Sequence, residues 1–109
     1  MSILNLEIVD AISIDLLGNV VLTISDELSW ENDHEHLLAL QNKINVYLEF
    51  IENGNLYEQY PNAAGRQIVI HLVNKYEPNK NAVVFFTAVK QILNTSGYEF
   101  QNKILNMND

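Results

Sequence analysis

The residues with the greatest capacity for chemistry lie between Asp26 and His36. Five carboxylates (Asp26, Glu27, Glu31, Asp33, Glu35) and two histidines (His34, His36) share these eleven positions. Such a density is what a metal site or an acid-base pair requires. His34-Glu35-His36-Leu37-Leu38 begins like the zinc-protease motif, but Leu38 stands where the second histidine ligand is needed. His34 and His36 are two residues apart, about 200° around a helix, so regular helical geometry cannot bring both to one ion. Asp33 and His36 could meet, yet two ligands make no site unless others come from elsewhere. The competing reading outweighs both: carboxylates in the first turn of a helix complement its dipole and cap its free amides. His71 lies in an apolar strand with no Ser or Asp at a telling spacing, and reads as a structural, hydrogen-bonded residue.

Other chemistries are excluded by composition. With no Cys there are no disulfides, no Cys-based zinc sites and no thiol nucleophile. Only four Gly are present, none of them in a phosphate loop, and Gly-x-Ser-x-Gly is missing. No catalytic residue, cofactor or metal is therefore assigned. In residues 55–66, Tyr57 and Tyr60 with Arg66 have the composition of an interface anchor. The more ordinary arrangement has the tyrosines packed with Leu56 beneath their own loop.

Charge is distributed unevenly. The 109 residues carry a net charge of −8, from 14 Asp/Glu and 6 Lys/Arg. No Lys or Arg precedes Lys43, whereas eight carboxylates do, including Glu7, Asp10 and Asp15. Residues 43–109 hold six of each sign, so the first 42 residues carry the whole excess. Phosphate affinity depends on clustered Lys/Arg, so neither nucleic acid nor an anionic membrane is an expected partner. Glu7, Asp10 and Asp15 interrupt any N-terminal apolar leader, and no apolar run approaches the ~18 residues of a membrane span. A cytoplasmic protein of bacterial type is the expectation. At 48% apolar and 18% charged residues, the composition is that of a packed globule.

The elements that would position these residues follow from periodicity. A single domain over 1–109 is expected, with a hairpin at 8–26, helix at ~30–53, loop at 55–66, strand at 67–75, helix at ~79–95, strand at 98–105 and tail at 106–109. In the hairpin, a three-residue loop at Leu17-Gly18-Asn19 pairs Leu16 with Val20, Ile14 with Leu22 and Ile12 with Ile24, which keeps one face apolar. Gly18 or Asn19 then takes positive φ. Ser29 is a good N-cap for the first helix, and Asn32 with Glu35 forms a capping box. Trp30 staples the start of that helix to the core. Leu37, Leu40, Ile44, Tyr47, Leu48 and Ile51 share one stripe, with Ala39, Val46 and Phe50 beside it. Ala82, Phe85, Phe86, Val89, Ile92 and Leu93 share a stripe on the second helix, leaving Val83 and Val84 off it. Tyr98, Phe100 and Ile104 point inward from the last strand. The order β-β-α-β-α-β predicts an α+β fold, a single mixed four-stranded sheet with both helices on one face. The other sheet face is left to water or a partner.

Several segments carry a family resemblance. Asp10-Ala11-Ile12-Ser13, Leu22-Thr23-Ile24-Ser25-Asp26 and Lys43-Ile44-Asn45 with Tyr47-Leu48 and Phe50-Ile51-Glu52 resemble a bacterial family of small proteins known only as a domain of unknown function. Tyr60-Pro61 and Lys75-Tyr76-Glu77-Pro78 continue the likeness. The resemblance implies no activity and no catalytic residue at any position.

The functional expectation is a small acidic binding protein without catalytic activity. Opposed potentials speed encounter with a basic partner and help to set specificity. A nuclease toxin met by an immunity- or antitoxin-type inhibitor is such a case. The expected contact residues are Asp26, Glu27, Glu31, Asp33 and Glu35, with Tyr57, Tyr60 and Arg66 as anchors. Two alternatives stand beside it. One is a small enzyme or ligand-binding domain using the carboxylates and histidines near the start of the first helix. The other is a homodimer or larger homo-oligomeric module built on the side stripes of the two helices.

Overall fold

A computed structural model describes residues 3–6, 9 and 11–105. The start of the expected hairpin at Ile8 and Asp10, and the expected tail over 106–109, lie outside the described residues. The elements run β1 (Ala11–Ile14), β2 (Val20–Asp26), α1 (Asp33–Glu52), α2 (Asn55–Gln59), a 3₁₀ turn (Pro61–Ala63), β3 (Ile68–Asn74), α3 (Lys80–Thr95) and β4 (Glu99–Ile104). The strands form one sheet in the order β1-β2-β3-β4, with β1 antiparallel to β2 and the other neighbours parallel. The α+β class and the mixed four-stranded sheet agree with the periodicity. Both crossovers step in the same direction, and right-handed crossovers then place both helices on one face.

The core lies between that face and the helices. Val20, Leu22 and Ile24 pair with Ile68, Ile70 and Leu72, and Ile70 pairs with Phe100. These side chains are buried in one cluster with Leu40, Ile44, Tyr47 and Ile51 of α1 and Ala82, Phe86, Val89 and Leu93 of α3. Each contributes about 1.5–3 kcal/mol by leaving water. The Tyr47 hydroxyl reaches the sheet backbone and donates to the Thr23 carbonyl at 2.6 Å. On the opposite face, Thr23, Ser25, His71 and Val73 stay partly exposed.

The hairpin departs from the expected pairing. A three-residue loop forms, but over Leu16-Leu17-Gly18: the Asp15 amide donates to the Asn19 carbonyl at 3.0 Å, and the Gly18 amide to the Asp15 carbonyl at 3.0 Å. Ile14 therefore pairs with Val20 and Ile12 with Leu22. The Asp15 carboxylate selects this register by accepting the Leu17 and Asn19 amides at 3.0 and 2.9 Å, a local turn that Asp favours. Gly18 takes the left-handed conformation, φ +86°. A slip of two residues leaves every side chain on its own face, so apolar patterning could not distinguish the two registers.

Other local expectations change as well. No capping box forms at the head of α1: Asn32 is the cap residue and makes no side-chain cap hydrogen bond. The long loop over 55–66 is partly helical, which buries Leu56 and Ala63 in the core and leaves Tyr57 and Tyr60 exposed. Ile92 and Ile104, expected inward, are largely exposed. His36 and Lys43, both polar, lie buried on α1. The Lys43 ammonium donates to the Asn5 carbonyl, tying the chain before β1 to the helix.

Candidate functional site

Strands β2, β3 and β4 end together at one edge of the sheet, and the segment Asp26–His36 crosses that edge to begin α1. Ligand crevices of open α/β sheets form at such an edge where the crossover direction reverses. Here both crossovers go the same way, so no crevice opens. The edge is filled by a polar network.

Asp26, the last residue of β2, is 2% exposed. Its Oδ2 lies 2.5 Å from His36 Nε2 and accepts from Asn74 Nδ2 at 2.8 Å, while Oδ1 accepts the Leu28 amide at 3.1 Å. His36 Nδ1 is 2.9 Å from the Ser29 carbonyl. A carbonyl only accepts, so Nδ1 carries a hydrogen, and one further proton joins Nε2 to the carboxylate. Burial pushes the Asp26 carboxyl above the usual carboxylate range, against the opposing pull of His36, the Leu28 amide and Asn74. Asn102 extends the network across β4, donating to Asn74 Oδ1 at 2.6 Å and to the Leu72 carbonyl at 3.1 Å. The Trp30 ring stacks on His36 with centroids 3.7 Å apart and planes at 17°, and its indole nitrogen donates to the Tyr76 carbonyl at 3.2 Å. The tryptophan thus fastens the start of α1 as expected.

Each of the four polar side-chain atoms of Asp26 and His36 has a hydrogen-bond partner within the protein. Among the described residues, no three His, Cys, Asp or Glu side chains are grouped as a metal ion requires. The pair is a latch that ties the head of α1 to the ends of three strands.

Family membership adds no assigned activity. A family model described as a family of unknown function, DUF6572, matches residues 1–106. The chain belongs to that family. No curated protein and no solved structure matches the chain. Among the described residues, no helix of this DUF6572 member is long and apolar enough to cross a membrane.

The expected contact residues of this DUF6572 chain separate into two groups. Glu27, Glu31 and Glu35 are exposed at the latch edge and take part in no hydrogen bond or ion pair among the described residues. Asp33 accepts from Asn81 Nδ2 at 2.9 Å and from Asn79 Nδ2 at 3.4 Å, which holds the heads of α1 and α3 together. The Asn81 bond keeps the Asp33 carboxyl below its usual range. Asp26 leaves the surface set, because its carboxylate is buried in the latch. Tyr60 and Arg66 lie at the other end of the sheet, about 20 Å away along the seven residues of β2. Arg66 is a brace there: Nε donates to the Asn62 carbonyl at 2.7 Å and Nη1 to the Gly18 carbonyl at 3.0 Å.

Beside the latch runs a groove of about 260 Å³, lined by Leu4, Leu28, Ser29, Glu31, Asn32, Glu35 and His36. Glu31, in the turn before α1, and Glu35, in its first turn, line it together with the two leucines. Nothing in the sequence pairs these glutamates with Leu4 and Leu28. Asn74 and Asn102 were equally hidden, since nothing about an Asn within a strand shows that its side chain joins a network around Asp26.

His71, on the open sheet face, has its pKa lowered by burial and then by Lys103. A depressed folded pKa means that its contribution to stability is complete above 6.5 and is lost as pH falls through the folded value. Thermal unfolding followed across this range should show Tm falling with pH, and His71→Gln should flatten that slope.

Proposed function

We propose that this protein is a non-catalytic binding protein for a basic protein partner, anchored at the Glu31–Glu35 groove. One observation carries the reading: Glu31 and Glu35, whose carboxylates take part in no ion pair, line one groove together with Leu4 and Leu28. A Lys or Arg side chain has the matching form, an aliphatic stem ending in a cation. The stem lies on the leucines and the charge reaches the glutamates. Glu27, exposed on the same edge, widens the field that steers the partner in. The Asp26–His36 latch holds the groove in shape without taking part in contact. A partner with a cationic substrate site, such as a nuclease held inactive by an immunity- or antitoxin-type protein in a bacterial cytoplasm, fits this chemistry.

The test is affinity purification of the native protein, identification of the basic protein retained, and titration of that protein against a groove variant. Glu31→Lys with Glu35→Lys should weaken binding by about 100-fold or more, chiefly by faster dissociation, since desolvated charge pairs are worth several kcal/mol. Unchanged affinity would overturn the proposal.

A further inference from the structure

The outward sides of the two long helices carry opposite charges, and α3 exposes β-branched residues. In α3, Lys80 and Lys90 are the charged residues, and there is no Asp or Glu in its 16 residues. In α1, Asp33, Glu35, Glu49 and Glu52 are acidic, while the one lysine, Lys43, is buried. Asp33 and Glu35 suit the dipole of α1, but three other placements oppose the helix dipoles. Lys80 stands at the positive end of α3, and Glu49 and Glu52 stand at the negative end of α1. Between the helices lies an apolar groove of about 310 Å³, with Leu48 on one wall and Phe85, Ala88 and Ile92 on the other. Ile92 is 62% exposed and Val84 65%. β-branched residues favour a helix less than straight-chain ones, so nothing local to α3 calls for them at exposed positions.

We infer that the helical layer is a homodimer interface, with α1 of each copy lying on α3 of the other. Charge decides the occupant and its orientation. A two-fold axis in the interface and parallel to the helices sets the acidic α1 against the basic α3 twice. An axis across the helices sets like on like. A chain of net charge −8 repels its own copy at most surfaces, and α3 is the helical face free of carboxylates. Under the parallel axis the two grooves face each other, and Ile92 and Leu48 of each copy fill the other's.

Helices of 20 and 16 residues, about 30 and 24 Å long and about 10 Å apart, offer on the order of 600 Å² per copy. That is at the low end for a specific interface, so a dimer dissociating in roughly the micromolar range is expected.

Sedimentation equilibrium on the full chain, from low to high micromolar, tests this. The expected result is reversible association to twice the 12.5 kDa chain mass. Ile92→Glu should raise the dissociation constant by about 100-fold or more, as a charge at an interface centre does, with an unchanged far-ultraviolet circular dichroism spectrum. Glu49→Lys with Glu52→Lys lowers the net negative charge, which by itself would strengthen association. Because the pair opposes the Lys90 end of the partner's α3, weakening by about tenfold is expected instead, and combining it with Lys90→Glu should restore the dimer. A monomer at every concentration overturns the inference. So does a dimer insensitive to Ile92→Glu but lost on Ile14→Asp at the free edge of β1, and so do assemblies that grow beyond two copies. Ile92→Glu leaves the Glu31–Glu35 groove untouched, so loss of the dimer and loss of basic-partner binding are read separately.

Discussion

Asp26→Ala is expected to lower folding stability by about 3–5 kcal/mol, the usual cost of removing one member of a buried hydrogen-bonded pair. Three donors lose their acceptor at once: His36 Nε2, Asn74 Nδ2 and the Leu28 amide. Each buried group left without a partner costs about 1–3 kcal/mol. Against a total stability of about 5–15 kcal/mol for such a domain, the variant is marginally folded. Urea unfolding measures the loss. Because Trp30 stacks on His36, its fluorescence reports the latch locally while circular dichroism reports the whole chain. A second variant separates an architectural latch from one kept for chemistry. Asp26→Leu with His36→Leu removes both ionisable groups and fills the space, and such replacements of a buried pair are often neutral or stabilising. The double variant should therefore recover the share lost through His36, while Asn74 Nδ2 and the Leu28 amide still lack their acceptor. A single-variant cost below about 1 kcal/mol would place the latch among surface ion pairs, which contribute little.

Leu22→Ala should cost about 2–5 kcal/mol, whereas Leu16→Ser with Leu17→Ser should change stability by less than about 0.5 kcal/mol. Leu22 is fully buried between Ile12 and Ile70, and truncation leaves a cavity in the middle of the sheet. Leu16 and Leu17 are exposed at the hairpin tip. Under the register with Leu16 opposite Val20, Leu16 would extend the apolar face and its loss would be felt. Chemical denaturation of the three variants therefore tests the hairpin register together with the core. A cost of 2 kcal/mol or more for the double serine variant would contradict the Asp15-closed turn.

Much of the architecture was legible because it rests on periodicity. Alternation in Val20–Asp26 and Ile68–Asn74, and the 3.6-residue stripe through Leu40, Ile44, Tyr47 and Ile51, report burial on one face directly. Elements whose ends depend on short-range polar chemistry were less legible. Asp15 could have been a strand residue or the acceptor of a turn, and hydropathy is blind to the choice. The expected capping box at Asn32 and Glu35 failed for a related reason. Asn32 makes no side-chain cap, and the head of α1 is held instead by His36 on Asp26 and by Asp33 on Asn79 and Asn81. Those bonds span ten residues in one case and more than forty in the others, beyond the reach of any local rule.

The same division applies to the acidic segment. Sequence alone determined the fold class, the buried faces of β2, β3 and α1, the absence of thiol chemistry and the excess of carboxylates over Asp26–Glu35. Composition and periodicity are sums over local residues, so a single chain suffices to read them. Only the tertiary structure decided where each carboxylate lies and what it touches. Chain distance says nothing about which side chain closes over another, so Asp26 could be assigned to the core, Asp33 to the joint between two helices, and Glu31 and Glu35 to the lining of a groove only once β2, β3 and α3 had been brought to the same edge.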